Sequence, residues 1–456
     1  MKSDIPAAVV IGGGFSGTMV AAELTRRGIR SVLVDGSGRE GRGTAYSTPE
    51  RAHLLNVVAA KMGAWADRPE HFAEEVEREY GPDDYVPRQR YGEYLAKILD
   101  EARGTGLVRL AASEARTVEC SGGGWAVTLA DGSRVEGEAL VLAQGNQAPA
   151  PPPLARGLPP ELFVNDPWSE AGRRAIAKGA ASGGDVLLIG TGLTMVDVVL
   201  SLDEARLRGR ITALSRRGLM PRAHAEHGVA PVTLDEVPQG SLKRLWRWLL
   251  GRGAAVGWRA AVDSLRPHSH ALWQSLSKAE QLRFLRHVRP WWDVHRHCIA
   301  PEVAGRVKRL VQLGQLEIVA GRVTDMVADG QQLEVAIRRR GHRQLSDHRF
   351  ALAVNCTGPL GSISASPDPL IRSLFDQGLA RPDALDLGLE VDGQSRVLRY
   401  EPSSEGSTQD ERQMMWAVGP LTKGKYWEIT AVPDIRGQVA QVAYDIAEEL
   451  NHALQS

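Results

Sequence analysis

Two glycine-rich turns, each preceded by a short apolar run, constrain the fold of this chain more than any other feature. In the first, residues 7–11 form the apolar run and the turn Gly-Gly-Gly-Phe-Ser-Gly follows at 12–17. A helix is predicted over 18–27, and a second apolar strand at 31–34 ends at Asp35. A helix that starts at such a turn directs its free backbone N–H groups at a pyrophosphate, and glycine lets the backbone approach closely. The pattern therefore predicts a dinucleotide-binding βαβ unit.

The acid at the end of the second strand assigns FAD to this unit. Asp35 lies 18 residues beyond Gly17, and a carboxylate at that place accepts hydrogen bonds from the ribose hydroxyls of a dinucleotide. The alternative is a glycine-rich turn that binds no nucleotide. The predicted FAD contacts in this unit are Gly12, Gly14, Phe15, Ser16, Gly17 and Asp35.

The second turn, at 190–195, is less specific because Met195 replaces its third glycine. The strand predicted after it, at 210–215, ends in Arg216 and Arg217 rather than in an acid. Arginines accommodate a 2′-phosphate that a carboxylate would repel, and one charge-assisted contact of about 1.5–3 kcal/mol shifts coenzyme preference roughly ten- to hundredfold. NADPH is expected here, with NADH as the other coenzyme, and the alternative is a solvated basic strand end. The predicted contacts are Gly190, Gly192, Thr194, Arg216 and Arg217.

Composition excludes several other classes of protein. Lys plus Arg and Asp plus Glu are equal at 55 each among 456 residues, so no net charge attracts nucleic acid or an anionic membrane. No signal segment and no run of 18 apolar residues is present, and a cytoplasmic protein is expected. The three cysteines lie far apart at 120, 298 and 356, which argues against a zinc ribbon and against disulfide reductases with two nucleotide sites.

The order of these features predicts an α/β fold with two Rossmann-like, three-layer (ββα/βαβ) dinucleotide-binding domains. The FAD domain is expected to be split into 1–164 and 350–456, with the NAD(P)H domain at 165–349. A helical insertion at about 234–301 carries six of the eleven tryptophans. The apolar run at 350–356, followed by Thr357 and Gly358, is expected to return to the FAD domain and complete its sheet beside the isoalloxazine ring.

Further FAD contacts are expected from loops. The loop 43–56 should pass under the flavin, although Asn56 serves equally well as a capped turn in an apolar core. The strand at 139–142 runs into a glycine turn, and the segment before a helix near 435 should bring backbone N–H groups to the flavin. The residues predicted from these loops and from the strand at 350–356 are Thr44, Tyr46, Asn56, Gly145, Thr357, Gly358 and Trp427.

The segment 289–301 is the best candidate for substrate binding, because five ionisable groups lie there beside two indoles. Arginine offers a planar fork to an anion, and histidine near neutral pKa takes a proton. Arg289, His295 and Arg296 are the candidate catalytic residues. A packing helix with solvated charges is the alternative. Asp293, His295 and His297 alternate like metal ligands in a strand, but without a fourth ligand the pattern is typical of a polar face, and no metal is predicted.

Six blocks, at 11–17, 43–49, 53–57, 289–296, 355–359 and 427–436, resemble the FAD-NAD(P)-binding flavoproteins distantly related to class B (single-component) flavin monooxygenases. The resemblance implies NAD(P)H-driven hydroxylation of a small polar molecule, with oxygen from O₂ transferred by a flavin C4a-(hydro)peroxide. Members include amino-acid N-oxygenases and a urate hydroxylase, and chain length and block order make this sequence similar to the latter. Three alternatives stay open: an amino-acid N-hydroxylase, a flavin reductase or dehydrogenase that passes electrons to a quinone or partner protein, and a regulatory flavoprotein without turnover.

Overall fold

A computed structural model describes residues 7–400 and 414–455. The strands are β1 (Ala8–Ile11), β2 (Ser31–Val34), β3 (Val108–Ala111), β4 (Ala115–Ser121), β5 (Gly124–Leu129), β6 (Arg134–Gly137), β7 (Ala139–Leu142), β8 (Phe163–Val164), β9 (Val186–Ile189), β10 (Ile211–Ser215), β11 (Leu316–Asp329), β12 (Gln332–Arg339), β13 (Leu345–Phe350), β14 (Leu352–Asn355) and β15 (Met415–Ala417). They form three sheets.

The helices are numbered along the chain in the same way as the strands. They are α1 (Phe15–Arg26), α2 (Gly43–Tyr46), α3 (His71–Val76), α4 (Arg88–Gly104), α5 (Glu170–Ser182), α6 (Leu193–Glu204), α7 (Leu242–Val256), α8 (Trp258–Leu265), α9 (Ser269–Ser275), α10 (Lys278–Arg283), α11 (Arg289–Arg296), α12 (Pro301–Gln312), α13 (Pro369–Asp376) and α14 (Val432–Gln455). Among the described helices, none is both long enough and apolar enough to cross a membrane.

The first sheet is parallel, in the order β15-β7-β1-β2-β3. Its central strands are apolar and fully buried, as strands covered on both faces require. Helices α1, α4 and α14 cover one face, and α13 and the small antiparallel sheet β4-β5-β6 cover the other. This layering places the first glycine turn, directly after β1, at the carboxyl edge of the sheet, where α/β sheets bind ligands.

The second sheet has the order β13-β12-β11-β10-β9-β14-β8. Its parallel part repeats the βαβ arrangement around β9, α6 and β10. The long strand β11 first pairs with β10 in parallel and then continues outward, where it pairs with β12 in antiparallel register. The hairpin β12–β13 is therefore an extension of the second sheet rather than a separate unit.

Strand β14 overturns one expectation about the division into domains. It lies in the second sheet, between β9 and β8, and its Leu352 packs so closely on Gly179 that a Cβ there would lie 2.7 Å from the leucine side chain. The first sheet is completed instead by β15, which pairs with β7. The prediction that 350–358 returns to the FAD domain is wrong, and the second sheet takes its strands from 163–355, so both predicted boundaries cut into it.

The tryptophan-rich stretch is helical, and its helices α7 to α11 pack around one apolar cluster. The two ends of this insertion meet. Ala223 pairs with Ile299, and the backbone N–H groups of His224 and Ile299 donate to the carbonyls of Ile299 and Arg222 at 2.9 Å each. The insertion starts and ends next to the second sheet. It nevertheless packs on Leu385, Leu387 and Trp427, which belong to the first unit, the part of the chain built around the first sheet.

Candidate functional site

The first glycine turn is packed at a density that only glycine permits. Gly12 has φ +105°, and a Cβ on it would lie 2.5 Å from the carbonyl oxygen of Ala143. A Cβ on Gly17 would lie 1.8 Å from the carbonyl oxygen of Gly12. The carboxylate of Asp35 accepts hydrogen bonds from the backbone N–H of Gly13 at 2.5 Å and of Ser37 at 2.7 Å. Helix N-terminus, bare turn and fixed acid are the parts that a dinucleotide site needs.

A loop and a short helix cover this turn. The N–H of Gly41 donates to the carbonyl of Gly13 at 2.8 Å, and Gly43, at φ +57°, would place a Cβ 2.7 Å from Cα of Gly14. Helix α2 therefore presents Thr44, which is exposed, beside the turn. Tyr46 packs edge-on against another tyrosine ring, and burial raises the pKa of its phenol to about 12. Their contact with FAD stays a prediction.

The remaining members of the first turn face the C-terminal segment. Phe15 and Ser16 are buried in the first turn of α1, and a Cβ on Gly419 would lie 2.8 Å from Oγ of Ser16. Gly145, at φ +70°, follows β7 at the same edge of the sheet and lines a small cleft with Lys423. These residues surround one end of the first sheet from three segments of the chain.

The loop that follows α2 clamps the two nucleotide units together. Arg88, at the start of α4, donates to both carboxylate oxygens of Asp197 in α6 at 2.9 and 3.1 Å, and both side chains are largely buried. Buried His53 joins the same contact, with Nε2 3.0 Å from the carbonyl oxygen of Asp197. Asn56 takes part through its backbone, because its carbonyl accepts from Nε2 of His224 at 2.9 Å. Sequence reasoning missed Arg88 and Asp197, since nothing in the sequence joins residues 109 positions apart.

The second glycine turn is shaped by its neighbour β14. Gly190 has φ +118°, and a Cβ on it would lie 2.2 Å from the carbonyl oxygen of Cys356. Thr357 and Gly358, which follow, therefore lie beside this second turn and not in the first sheet, which corrects the placement on which their assignment to FAD depended. Met195 is fully buried in the core of the second unit. Gly192 and Thr194 lie at the N-terminus of α6.

The two arginines after β10 diverge. Arg216 lines a basic cleft formed with the hairpin β12–β13. Arg217 turns towards the insertion, and its Nη1 lies 3.5 Å from the carbonyl oxygen of His287. The sequence predicted two equivalent contacts with the coenzyme, but Arg216 lies on the cleft and Arg217 faces the insertion.

A buried carboxylate joins the insertion to the first unit. Glu428 accepts hydrogen bonds from Nε1 of Trp292 at 2.6 Å, Nε of Arg296 at 3.2 Å and Oγ of Ser269 at 3.4 Å, and its side chain is 4% exposed. His297 places Nε2 3.9 Å from the same carboxylate. We call these five residues the Glu428 centre. Glu428 has φ +71°, unusual for a residue other than glycine.

Helix α11 divides the residues that the sequence singled out. Arg289, Asp293 and Arg296 share one face; Nε of Arg289 donates to Oδ2 of Asp293 at 3.3 Å, and its guanidinium lies 5.8 Å from the Trp427 ring. His295 faces elsewhere, with its ring edge-on to Trp258 at 4.8 Å and Nδ1 2.7 Å from the carbonyl oxygen of its own helix. The two arginines thus remain candidates, whereas His295 lies away from the Glu428 centre.

The aromatic residue expected at the flavin, Trp427, packs in the insertion. Its ring stacks on Trp273 at 4.8 Å and meets Phe284 edge-on at 5.3 Å. Nε1 of Trp273 donates to the carbonyl of Gly424 at 2.8 Å. The insertion is therefore fixed to the segment 424–428, which connects β15 to α14. Within the described residues, no group of three or more His, Cys, Asp or Glu side chains is arranged to hold a metal ion.

Burial shifts the pKa values of the ionisable side chains around the segment 424–428. It lowers the pKa of His297 and of Arg266, the latter also because Arg296 is near, and it raises the pKa of Asp293 and Asp434. A histidine with a lowered pKa stays neutral at pH 7, and desolvated acids and bases in one place are typical of functional sites.

Asp434 gives a stability prediction, because a buried acid with a raised pKa destabilises the fold once it ionises. Its Oδ2 has no hydrogen-bond partner among the described residues. The folded state binds the proton at a pH where the unfolded carboxyl, with a pKa of about 3.9, has lost it. The free energy of unfolding of Asp434→Asn, relative to the unmodified protein, should therefore increase from pH 4 to pH 7. Denaturant titrations at several pH values measure this; a difference that stays constant or decreases contradicts it.

Known proteins with a similar sequence or fold agree with the arrangement of the two sheets and their glycine turns. Residues 9–147 match the family described as FAD-NAD(P)-binding. No curated protein matches the chain. Among solved structures, L-lysine 6-monooxygenase from Pseudomonas syringae matches with 15% identity, 97% of this chain, 99% of that chain and a TM-score of 0.67. Ornithine N-hydroxylase from Kutzneria sp. 744 matches with 14% identity, 98% of this chain, 100% of that chain and a TM-score of 0.62.

The chain has the fold of an FAD- and NAD(P)-binding flavoprotein. The fold class predicted from the sequence is thereby confirmed. Thioredoxin reductase from T. acidophilum shares this flavoprotein fold at 12% identity, with 98% of this chain and 100% of that chain covered and a TM-score of 0.53. The three cysteines of this chain are free thiols, of which Cys298 and Cys356 are buried.

Proposed function

We propose that the protein is an FAD-dependent, NAD(P)H-consuming monooxygenase that hydroxylates a small polar molecule at an amine nitrogen. The observation that carries the substrate class is the mixed charge of the site. Arg296 and Arg266 lie with Glu428 and Asp434 in one partly buried region, so both a carboxylate and an ammonium group find partners there. An amino acid with a second amine has both charges and uses both kinds of partner, whereas urate, an anion without a cationic group, has no use for the buried carboxylates.

The first nucleotide site fits FAD. The close-packed turn at 12–17, the N-terminus of α1 and the fixed carboxylate of Asp35 match the pyrophosphate and ribose of a dinucleotide. Thr44, Tyr46, Ser16 and Gly145 lie around the same edge. When bound, FAD supplies the acceptance of hydride and the activation of O₂.

NADPH fits the second site. Its turn at 190–192 follows β9, and Arg216 replaces the acid that would repel a 2′-phosphate. The contact between Arg88 and Asp197 holds the second unit against the first, with both turns at the carboxyl edges of their sheets. A fixed relative position of two nucleotides contributes to the rate by orientation.

The insertion supplies the surroundings that such a reaction needs. Trp273, Trp427 and Phe284 form an aromatic cluster that excludes water on the insertion side of the Glu428 centre. The amine must lose a proton before its nitrogen is hydroxylated. His297 offers a base, because burial lowers its pKa and keeps it neutral. A proton accepted at Nε2 lies near Oε1 of Glu428, and this carboxylate stabilises the imidazolium that forms.

Coupled turnover tests the proposal. NADPH oxidation, O₂ uptake and hydrogen peroxide are measured on FAD-loaded protein with ornithine, lysine, a linear diamine, aspartate or urate. An amine should accelerate both rates while peroxide decreases and a hydroxylamine product accumulates in matching amount. Acceleration by urate alone overturns the assignment to an amine. If no compound accelerates the reaction and NADPH still reduces quinones or dyes, the protein is a reductase.

Two histidines of one segment provide matched variants. His297→Asn should lower kcat for the amine roughly 100-fold or more at pH 7, the usual loss when a general base is removed. His295→Asn, on the other side of α11, should change kcat little. FAD content should stay unchanged in both. Equal losses in the two variants would show that His297 does not act as the base.

A further inference from the structure

A basic cleft on the second unit extends well beyond Arg216, which is the one cleft residue that the proposed function uses. Its volume is about 320 Å³. Six arginines line it, together with a histidine and two glycines; the arginines are Arg216, Arg322, Arg338, Arg339, Arg340 and Arg343. Only Arg216 comes from the strand end that the sequence assigned to a coenzyme. The other five come from β11, from β12 and from the turn that joins β12 to β13.

The arginines of the cleft are not neutralised by the protein. Arg339 pairs with Glu317 at 2.6 Å, but none of the other five has a carboxylate partner in residues 7–400 and 414–455. Arg322 and Arg338 even stand directly opposite each other on antiparallel strands. Like charges in that relation destabilise a sheet. A strand pair that keeps this repulsion is suited to hold an anion between its guanidinium groups.

The cleft lies where the adenosine end of a dinucleotide is expected. Ser215 of β10 and Ala320 of β11 are neighbours in parallel register, so Arg216 follows the end of β10 at the point where β11 continues through Gly321 to pair with β12. The backbone N–H of Arg340 donates to the carbonyl of Ala320 at 2.7 Å, which brings the hairpin turn to that edge. The second glycine turn opens on the same edge, and the residue after the second strand is the one that reads the ribose 2′ position.

From these contacts we infer that the hairpin β12–β13 is a 2′-phosphate clamp. Arg340 and Arg343 in the turn, with Arg216 opposite, bind the phosphate monoester on the adenosine ribose of NADPH. The inference rests on the proposed use of NADPH and assigns coenzyme choice to a hairpin about 125 residues beyond β10 rather than to the pair Arg216 and Arg217. Arg217 is excluded from the clamp because it faces the carbonyl of His287.

Binding of 2′,5′-ADP to the full FAD-loaded protein tests the clamp without any turnover. The variant Arg340→Ala/Arg343→Ala should bind 2′,5′-ADP roughly 10- to 100-fold more weakly, while 5′-ADP, which lacks the 2′-phosphate, binds as before. NADPH KM should increase and NADH KM should not. Arg349→Ala serves as a matched control, because this exposed arginine of β13 lies outside the cleft and pairs with Glu334. It should change none of these values.

The outcomes separate this inference from the proposed function. Equal weakening of both nucleotides, or no weakening, overturns the clamp, as does a selective loss in Arg217→Ala. Inorganic phosphate that abolishes 5′-ADP binding as well would show a general anion site rather than a 2′-phosphate clamp. If 2′,5′-ADP binds selectively through the hairpin but no substrate is hydroxylated, the clamp stands and the proposed monooxygenase does not. If an amine is hydroxylated with equal use of NADH and NADPH, the proposed monooxygenase stands and the clamp does not.

Discussion

Gly17→Ala should abolish FAD incorporation while the second nucleotide site keeps its affinity. The new Cβ would lie 1.8 Å from the carbonyl oxygen of Gly12, a backbone atom that cannot move without shifting β1 or α1. Displacing α1 moves its free N–H groups from the pyrophosphate and separates the helix from the strand that it covers. We expect FAD affinity to decrease at least 100-fold, about 2.7 kcal/mol. Flavin absorbance per chain after purification with added FAD measures the loss.

Two readouts separate loss of FAD from loss of folding. Far-ultraviolet circular dichroism should stay close to that of the unmodified protein, and 2′,5′-ADP should bind as before. Gly305→Ala is the matched control, because a Cβ at this position in the middle of α12 would meet no neighbouring atom within 4 Å. Alanine there should add up to about 1 kcal/mol of stability. If Gly17→Ala keeps its FAD, the first turn does not bind the pyrophosphate.

Glu428→Gln should detach the insertion from the first unit. The amide keeps the shape of the side chain and still accepts from Nε1 of Trp292, but it removes the carboxylate that pairs with the guanidinium of Arg296, whose side chain is 12% exposed. Removing one partner of a buried pair costs about 3–5 kcal/mol. Substrate-stimulated NADPH oxidation should disappear, uncoupled peroxide should increase, and FAD content should not change.

Limited proteolysis measures the detachment directly. The variant should be cut between 240 and 300 faster than the unmodified protein, and its thermal transition should be lower. Glu170→Gln on α5 is the control, because that acid pairs with Arg174 in solvent, where such pairs contribute less than about 0.5 kcal/mol. Unchanged coupling and unchanged cleavage in Glu428→Gln would mean that apolar packing alone holds the insertion.

The sequence was sufficient for the nucleotide units, because their signals are local. The turn at 12–17 requires glycines because a Cβ on Gly12 or Gly17 would meet backbone oxygens of Ala143 or Gly12, and Asp35 follows within the same βαβ unit. The misplaced strand β14 shows what local signals lack. A buried apolar run that ends in a glycine turn identifies a central parallel strand, but the partner strand depends on packing such as that of Leu352 on Gly179.

The functional contacts that sequence reasoning missed all join distant parts of the chain. Glu428 lay in the sequence only within the block 427–436, yet its carboxylate binds Arg296, 132 positions earlier. The left-handed backbone conformation of Glu428 could not be predicted from the sequence, because glutamate has no preference for that conformation. Arg340 and Arg216 similarly come together only because β11 continues past the sheet and turns back as β12. One signal was available: three consecutive arginines, at 338–340, before a glycine at 341.

The way in which the insertion leaves and rejoins the second sheet makes it an exchangeable cassette. Because Ala223 and Ile299 are bridged, the spacing of the two attachment points does not depend on what lies between them. Helices can be added, removed or replaced there without shifting the register of β10 with β11, since loop closure costs little more as a segment lengthens. Under the proposed function, substrate range and the two nucleotide sites can therefore diverge separately in evolution. Grafting the cassette between proteins of this fold, with residues 424–428 as its docking partner, offers a route to new specificities on unchanged sheets.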